Sequence, residues 1–185
     1  RSEMLFTEER GQMQEEMLTQ REIKREIPVF MASRKFVFKL DQGPYAADIS
    51  VDGRHLLFGG EQGHLALIDV FNGTKFYEIN PPTGVRDVTF LHDETMSAVA
   101  TNDSLCIFDK QGVIIHQVKD KLKNPLFVDF LPHHWLVVTS TESGRINYTD
   151  ITDGKTVASF RTKKGSPLSM CQNPQNAVMT LGHSN

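Results

Sequence analysis

From Gly43 onward the chain alternates apolar and polar residues in short runs, and three of these runs end in an aspartate. The aspartates are Asp69, Asp109 and Asp150, at intervals of 40 and 41 residues. Alternation with a period of two is typical of half-buried β-strands. A glycine follows each aspartate three or four residues later, and these glycines are Gly73, Gly112 and Gly154. The chain therefore carries a strand-and-turn unit that repeats about every 40 residues.

This repeat predicts an all-β fold, a partial β-propeller of the WD type, because the four-stranded blades of such propellers recur about every 40–45 residues. The predicted blades cover about 43–80, 84–119 and 125–161, and half of a fourth blade covers 166–185. Propellers have about 4–8 blades, so three and a half blades cannot close a ring. We expect the chain to be a piece of a longer protein that exposes an open blade edge.

The segment before the repeat has a different composition. Residues 1–27 are rich in Glu, Gln, Met, Arg and Lys, which are good helix formers, and we predict an α-helical extension that Pro28 ends. Residues 32–40 alternate apolar and charged side chains, which predicts a half-buried extended segment. We therefore predict two regions, a helix with an extended lead-in segment over 1–42 and the partial propeller over 43–185.

The residues that could carry chemistry favour structural roles. An aspartate at the end of a strand is expected to order the turn after it by accepting hydrogen bonds. Carboxylates one blade apart exceed the separation of about 5–10 Å that glycoside hydrolysis needs. His133 and His134 are adjacent, so on an extended chain they point to opposite faces and cannot easily share a metal ion. We therefore predict no enzyme, no metal or cofactor site and no small-molecule substrate.

Charge narrows the choice of partners. The 185 residues carry a formal net charge of −3, which argues against a broad nucleic-acid-binding surface. No apolar stretch approaches the roughly 18 residues of a membrane helix, so no membrane association is predicted. Basic residues nonetheless cluster before the propeller and in two connections between blades. They are either solvated charges or contacts to a partner or to RNA phosphates within a larger ribonucleoprotein. The candidates are Arg21, Lys24, Arg25, Arg34, Lys35, Lys121, Lys123, Lys163 and Lys164.

Beyond the repeat, the chain contains short sequence motifs that are most specific near its C-terminus. They are Gly43-Pro44-Tyr45, Asp52–Leu57, Gly63-His64, Phe130–His134, Glu142–Gly144, Gln172–Pro174, Asn176–Val178 and Leu181–Asn185. In these motifs, and over Thr19 to Asn185 as a whole, the chain resembles the WD-repeat U-three proteins of the small-subunit processome. This family is called BING-four in animals.

The resemblance implies a seven-bladed propeller with long extensions, located in the nucleolus of the nucleus. It implies a non-catalytic scaffold or assembly factor in small ribosomal subunit biogenesis, acting in pre-ribosomal RNA processing. The implied partners are other processome proteins, including WD-repeat factors, and the pre-ribosomal RNA particle. The rival hypothesis is a WD-repeat adaptor that binds peptides in another complex, such as a ubiquitin-ligase receptor or a chromatin reader.

Overall fold

The computed structural model describes residues 4–9, 12–17, 19–32, 36–119, 122–173 and 175–183. The chain divides into two compact units, Arg1–Phe38 and Lys39–Asn185.

The first unit contains a strand pair and two short helices. β1 (Met4–Glu9) pairs antiparallel with β2 (Gln12–Met17), and they precede α1 (Gln20–Glu26) and α2 (Val29–Ala32). The helix predicted over 1–27 is therefore confirmed only from Gln20 onward and is wrong over β1 and β2. Gly11 lies in the middle of the predicted helix, where glycine costs about 1 kcal/mol relative to alanine. The apolar stripe of this segment is narrow, with Met13 and Met17 four residues apart, so it offers little apolar surface to anchor a helix.

The ends of α1 follow from its sequence. The N–H of Thr19, the residue that caps the helix, donates to Glu22 Oε2 at 2.7 Å. The helix ends at Glu26 and is capped by Ile27, directly before Pro28, in agreement with the predicted stop at Pro28. Residues 36–40 adopt no regular structure, and their side chains are exposed. The half-buried extended segment predicted there is therefore wrong, because none of the described strands pairs with these residues.

Within the described residues, the second unit contains three antiparallel sheets of four strands and one of two, with strands arranged in chain order. The first sheet consists of β3 (Tyr45–Ile49), β4 (His55–Gly60), β5 (His64–Asp69) and β6 (Thr74–Ile79). The second consists of β7 (Val85–Phe90), β8 (Met96–Thr101), β9 (Leu105–Asp109) and β10 (Ile114–Val118). The third consists of β11 (Pro125–Leu131), β12 (Leu136–Thr141), β13 (Arg145–Asp150) and β14 (Thr156–Arg161). The last pair is β15 (Pro167–Gln172) and β16 (Met179–His183). The predicted blades are confirmed.

The hydrophobic core lies between successive blades. One buried cluster joins Leu57 of the first blade to Val88 of the second, and another joins Ile107 of the second to Phe130 of the third. Leu57 and Ile107 are fully buried, and burying such a side chain contributes about 1.5–3 kcal/mol. The first strands β3, β7, β11 and β15 contact one another in that order, so they form the inner wall of the propeller.

The three repeated aspartates order the turns that follow them, as predicted. Each carboxylate accepts a hydrogen bond of 2.8 Å from the backbone N–H two residues later. The glycine that follows each of them has φ between 66° and 79°, a region that L-residues rarely adopt. Asp69 also accepts from Arg54 Nη2 at 2.9 Å. Burial raises the pKa of the Asp69 carboxyl, but the hydrogen bonds from Arg54, Asn72 and Phe71 outweigh it and hold that pKa below its ordinary value.

Candidate functional site

The basic candidates of the first unit lie on one short helix. Arg21, Lys24 and Arg25 are on α1 and are exposed. Lys24 and Arg25 occupy its last turn, where a cation interacts favourably with the helix dipole. That placement gives the two charges a local structural role. Three further candidates lie outside the described residues, namely Arg34, Lys35 and Lys121.

The third blade brings three cations together at one cavity of about 250 Å³. Lys123, Arg145 and Arg161, which we call the basic pocket, line this cavity together with Ser143. Lys123 precedes β11, Arg145 begins β13 and Arg161 ends β14. The two basic connections between blades therefore meet at this pocket, because Lys123 belongs to one of them and Arg161 directly precedes the other. Arg145 was missed, because a single arginine in an alternating run is indistinguishable from an ordinary solvent-facing strand residue.

The two arginines of the basic pocket are direct neighbours across two strands. Arg145 and Arg161 are opposite residues in the β13–β14 ladder, a position in which like charges destabilise the sheet. Arg145 Nη1 donates to Ser159 Oγ at 2.8 Å, which fixes the direction of its guanidinium. No carboxylate of the described residues lies within 4.0 Å of the cationic nitrogens of Lys123, Arg145 or Arg161. The pocket therefore concentrates positive charge that the described protein does not neutralise.

A basic loop lies against the turn that forms one wall of the pocket. Thr162 N–H donates to the carbonyl of Gly144 at 2.9 Å, and its hydroxyl donates to the same oxygen at 3.2 Å. Gly144 has φ of 70°, and a side chain there would collide with the carbonyl of Gly165. This close approach holds Lys163 and Lys164 beside the pocket, and both are exposed. Lys163 has φ of 58°, so the loop has a defined, costly backbone conformation.

Comparison with known proteins identifies relatives of this chain. No family model matches the chain. The chain is 40% identical over its whole length to human WD repeat-containing protein 46, of which it spans 31%. It is 39% identical to the protein of the same name from Caenorhabditis elegans, over 91% of the chain and 29% of that relative. It is also 38% identical to U3 small nucleolar RNA-associated protein 7 of Saccharomyces cerevisiae, over 90% of the chain and 30% of that relative.

Over 90–100% of its length the chain is homologous to these WD-repeat proteins. It spans less than a third of the length of each of these relatives. The repeated aspartates are the WD-type strand ends without the tryptophan, since the residues before them are Ile68, Phe108 and Thr149. The resemblance noted in the sequence is thereby confirmed.

The WD-repeat segment contains a second set of repeated aspartates that sequence reasoning missed. Asp48, Asp87 and Asp129 lie on the first strands of the three blades, at intervals of 39 and 42 residues. Asp48 Oδ2 accepts from the N–H of Phe90 at 2.7 Å, and Asp87 Oδ2 accepts from the N–H of Val128 at 2.9 Å. Each bond links one blade to the next. The interval is the signal that could have revealed them, as it did for the strand-ending aspartates.

These inner carboxylates lie close enough to influence one another. Burial raises the pKa of Asp87 to about 6, and the carboxylates of Asp129 and Asp48 act in the same direction. Burial and the Asp48 carboxylate also raise the pKa of Asp129. Perturbed carboxyls of this kind occur in active sites, but here Asp87 accepts a backbone hydrogen bond from Val128 of the next blade, and Asp129 accepts one from Phe130 of its own strand. Their arrangement is that of a structural connector.

The first blade of the WD-repeat segment contains an array that superficially resembles a proton relay. His64 Nδ1 lies 3.1 Å from the Tyr45 hydroxyl, and His64 Nε2 lies 2.9 Å from Glu78 Oε1. The Tyr45 hydroxyl also accepts from the N–H of Gln42 at 3.2 Å. The array joins β3, β5 and β6, and His64 is buried. The geometry therefore supports strand linkage.

The described residues carry no other arrangement of ligating side chains. Among them, no three His, Cys, Asp or Glu side chains are grouped as metal ligands. The helices of the described chain are too short and too polar to span a bilayer.

Proposed function

We propose that the protein containing this WD-repeat segment is a non-catalytic scaffold that assembles the small ribosomal subunit in the nucleolus. The observation that carries the proposal is the similarity to a yeast protein named for its association with U3 small nucleolar RNA, 38% identical over 90% of this chain. A protein with that association would act in early processing of pre-ribosomal RNA.

The structure supports a scaffold role through the way its polar groups are used. The strand-ending aspartates order turns, the inner aspartates join blades, and His64 links strands of one blade. Rigid blades of this kind present variable loops to partners, which is the usual basis of function in such folds. The proposed partners are other processome proteins, including WD-repeat factors, and the pre-ribosomal RNA particle. The exposed basic candidates are the proposed contact residues.

Depletion of the full-length protein tests the proposal. We expect precursors of the small-subunit RNA to accumulate after depletion, while precursors specific to the large subunit are processed normally. Re-expression of the wild-type protein restores processing. Normal small-subunit precursors after complete depletion would contradict the proposal. Purification of the protein with ligase subunits or histones, and without processome proteins, would instead favour the peptide-binding adaptor.

A further inference from the structure

We propose that the basic pocket of the third blade binds phosphates of an RNA backbone, with the Arg145 and Arg161 guanidiniums contacting one phosphate. Lys123, Lys163 and Lys164 would contact the phosphates on either side. The choice of RNA as the ligand rests on the proposed function. The pocket itself is identified by its charge, geometry and volume.

The first argument is electrostatic. Arg145 and Arg161 face each other across the β13–β14 ladder, and no described carboxylate pairs with either. Like charges held opposite each other cost stability until a counter-anion lies between them. An anion in the pocket would turn this repulsion into attraction to both arginines. The arrangement is therefore explained by an anionic ligand.

The second argument is the shape of the donors. Guanidinium groups present planar forks that match phosphate oxygens in pairs. Ser159 Oγ holds the Arg145 fork in place at 2.8 Å, so less side-chain freedom is lost on binding. The cavity of about 250 Å³ has room for a phosphate group. The pocket is thus pre-organised for a small tetrahedral anion.

The third argument is the extension of positive charge beyond the cavity. Lys163 and Lys164 lie on the loop that Thr162 holds against the Gly144 turn. A phosphodiester chain carries one charge per nucleotide, so a row of cations along a fixed loop can contact several phosphates together. Glu142 lies in the same turn, but it is exposed and its Oε2 accepts from Asn124 Nδ2 at 2.9 Å. One carboxylate against three lysines and two arginines leaves this group of residues with a net positive charge.

The test compares two double variants of the full-length protein. Arg145→Gln with Arg161→Gln removes two charges from the basic pocket. Arg86→Gln with Lys75→Gln removes two charges that are already paired, with Glu61 and Glu78. Purified proteins are titrated with an unstructured single-stranded RNA oligonucleotide at several salt concentrations. Crosslinking of the same proteins to RNA in cells provides the second readout.

We expect the pocket variant to lose affinity for the oligonucleotide by about tenfold near physiological salt. The slope of log affinity against log salt should become shallower by about 0.7, which corresponds to one lost phosphate contact on a single strand. The paired-charge variant should keep both values within twofold of wild type. Arg145→Lys with Arg161→Lys keeps the charges but removes the forks, and it should lie between the two.

Unchanged affinity and crosslinking in the pocket variant would overturn this inference while leaving the proposed function intact, provided that the protein still enters small-subunit precursors. Loss of a protein partner with unchanged RNA crosslinking would also overturn it and would assign the pocket to an acidic protein. Failure of the proposed function is recognised separately, by normal pre-ribosomal RNA processing after depletion of the whole protein.

Discussion

The first and third blades share one strand order, but the cations on their strands have different neighbours. In the first blade, Arg54 pairs with Asp69 at 2.9 Å and Lys75 pairs with Glu78. In the third blade, Arg145 lies opposite a second arginine. A cation that is paired inside its own blade serves the fold. A cluster left without described carboxylates is available to a partner.

Two cavities of similar size show the same difference. One, of about 260 Å³, adjoins the second blade, and its wall contains Lys119 together with Asp103, 3.7 Å apart. The other is the basic pocket, of about 250 Å³. Cavity volume alone therefore does not distinguish a binding site from a gap between blades. The balance of charge in the wall distinguishes them.

The largest expected effect comes from the glycines that form the equivalent β4–β5 and β12–β13 turns. Gly63 has φ of 92° and Gly144 has φ of 70°, and a side chain on either would meet a carbonyl, of Pro81 or Gly165. We expect Gly63→Ala and Gly144→Ala each to lower the free energy of unfolding by about 2 kcal/mol in urea titrations. Only Gly144→Ala should also weaken RNA binding, because it displaces the basic loop. Equal RNA affinity in the Gly63→Ala and Gly144→Ala variants would contradict a specific role of the β12–β13 turn in RNA binding.

The next largest effect is a pH dependence of stability that comes from Asp87, at the junction of the second and third blades. Its folded pKa is about 6, above the ordinary value of 3.8, so between these values the folded state holds a proton that the unfolded state releases. Lowering the pH from 7 to 5 should therefore stabilise wild type by about 1 kcal/mol relative to Asp87→Asn. The pH dependence of stability that Asp69 contributes has the opposite sign. Its pKa is lowered in the folded state, so its contribution to stability is lost as the solution becomes more acidic. Urea titrations at both pH values measure the difference, and equal pH dependence in the two proteins would contradict the buried-carboxyl explanation.

The blades could be predicted from the sequence because apolar–polar alternation marks their strands and glycines mark their turns. β5, β9 and β13 end at the three repeated aspartates, as the alternation predicts, and glycines fall where the chain needs positive φ. The N-terminal helix was overestimated because helix propensity alone is a weak guide, and most helical stability in proteins comes from the packing of an apolar face. The basic pocket could be predicted only in part. Lys123 lies in a charged connection, whereas the meeting of Arg145 with Arg161 depends on the register between two strands.

A smaller effect tests the contrast between paired and unpaired arginines directly. Arg86 contacts Glu61 and Asn102, so Arg86→Gln should cost about 0.5 kcal/mol of stability, as is usual for exposed pairs. Arg145→Gln should be neutral or stabilising by a similar amount, because it removes repulsion from Arg161. Urea titrations at low and high salt measure both variants, and the differences should shrink in about 1 M salt. A clear loss of stability in Arg145→Gln would show that this arginine serves the fold.

The smallest expected change in stability separates loop structure from loop charge. Lys163 is exposed and has φ of 58°, a conformation that asparagine tolerates well. Lys163→Asn should therefore leave the free energy of unfolding within about 0.5 kcal/mol of wild type. It should still weaken RNA binding by about threefold near physiological salt, since one phosphate contact is lost. Lys155→Asn is the matched control, because Lys155 Nζ is already paired with Asp153 Oδ2 at 2.9 Å in the same blade. Equal RNA affinity in the two variants would exclude Lys163 from the binding surface and confine that surface to the basic pocket.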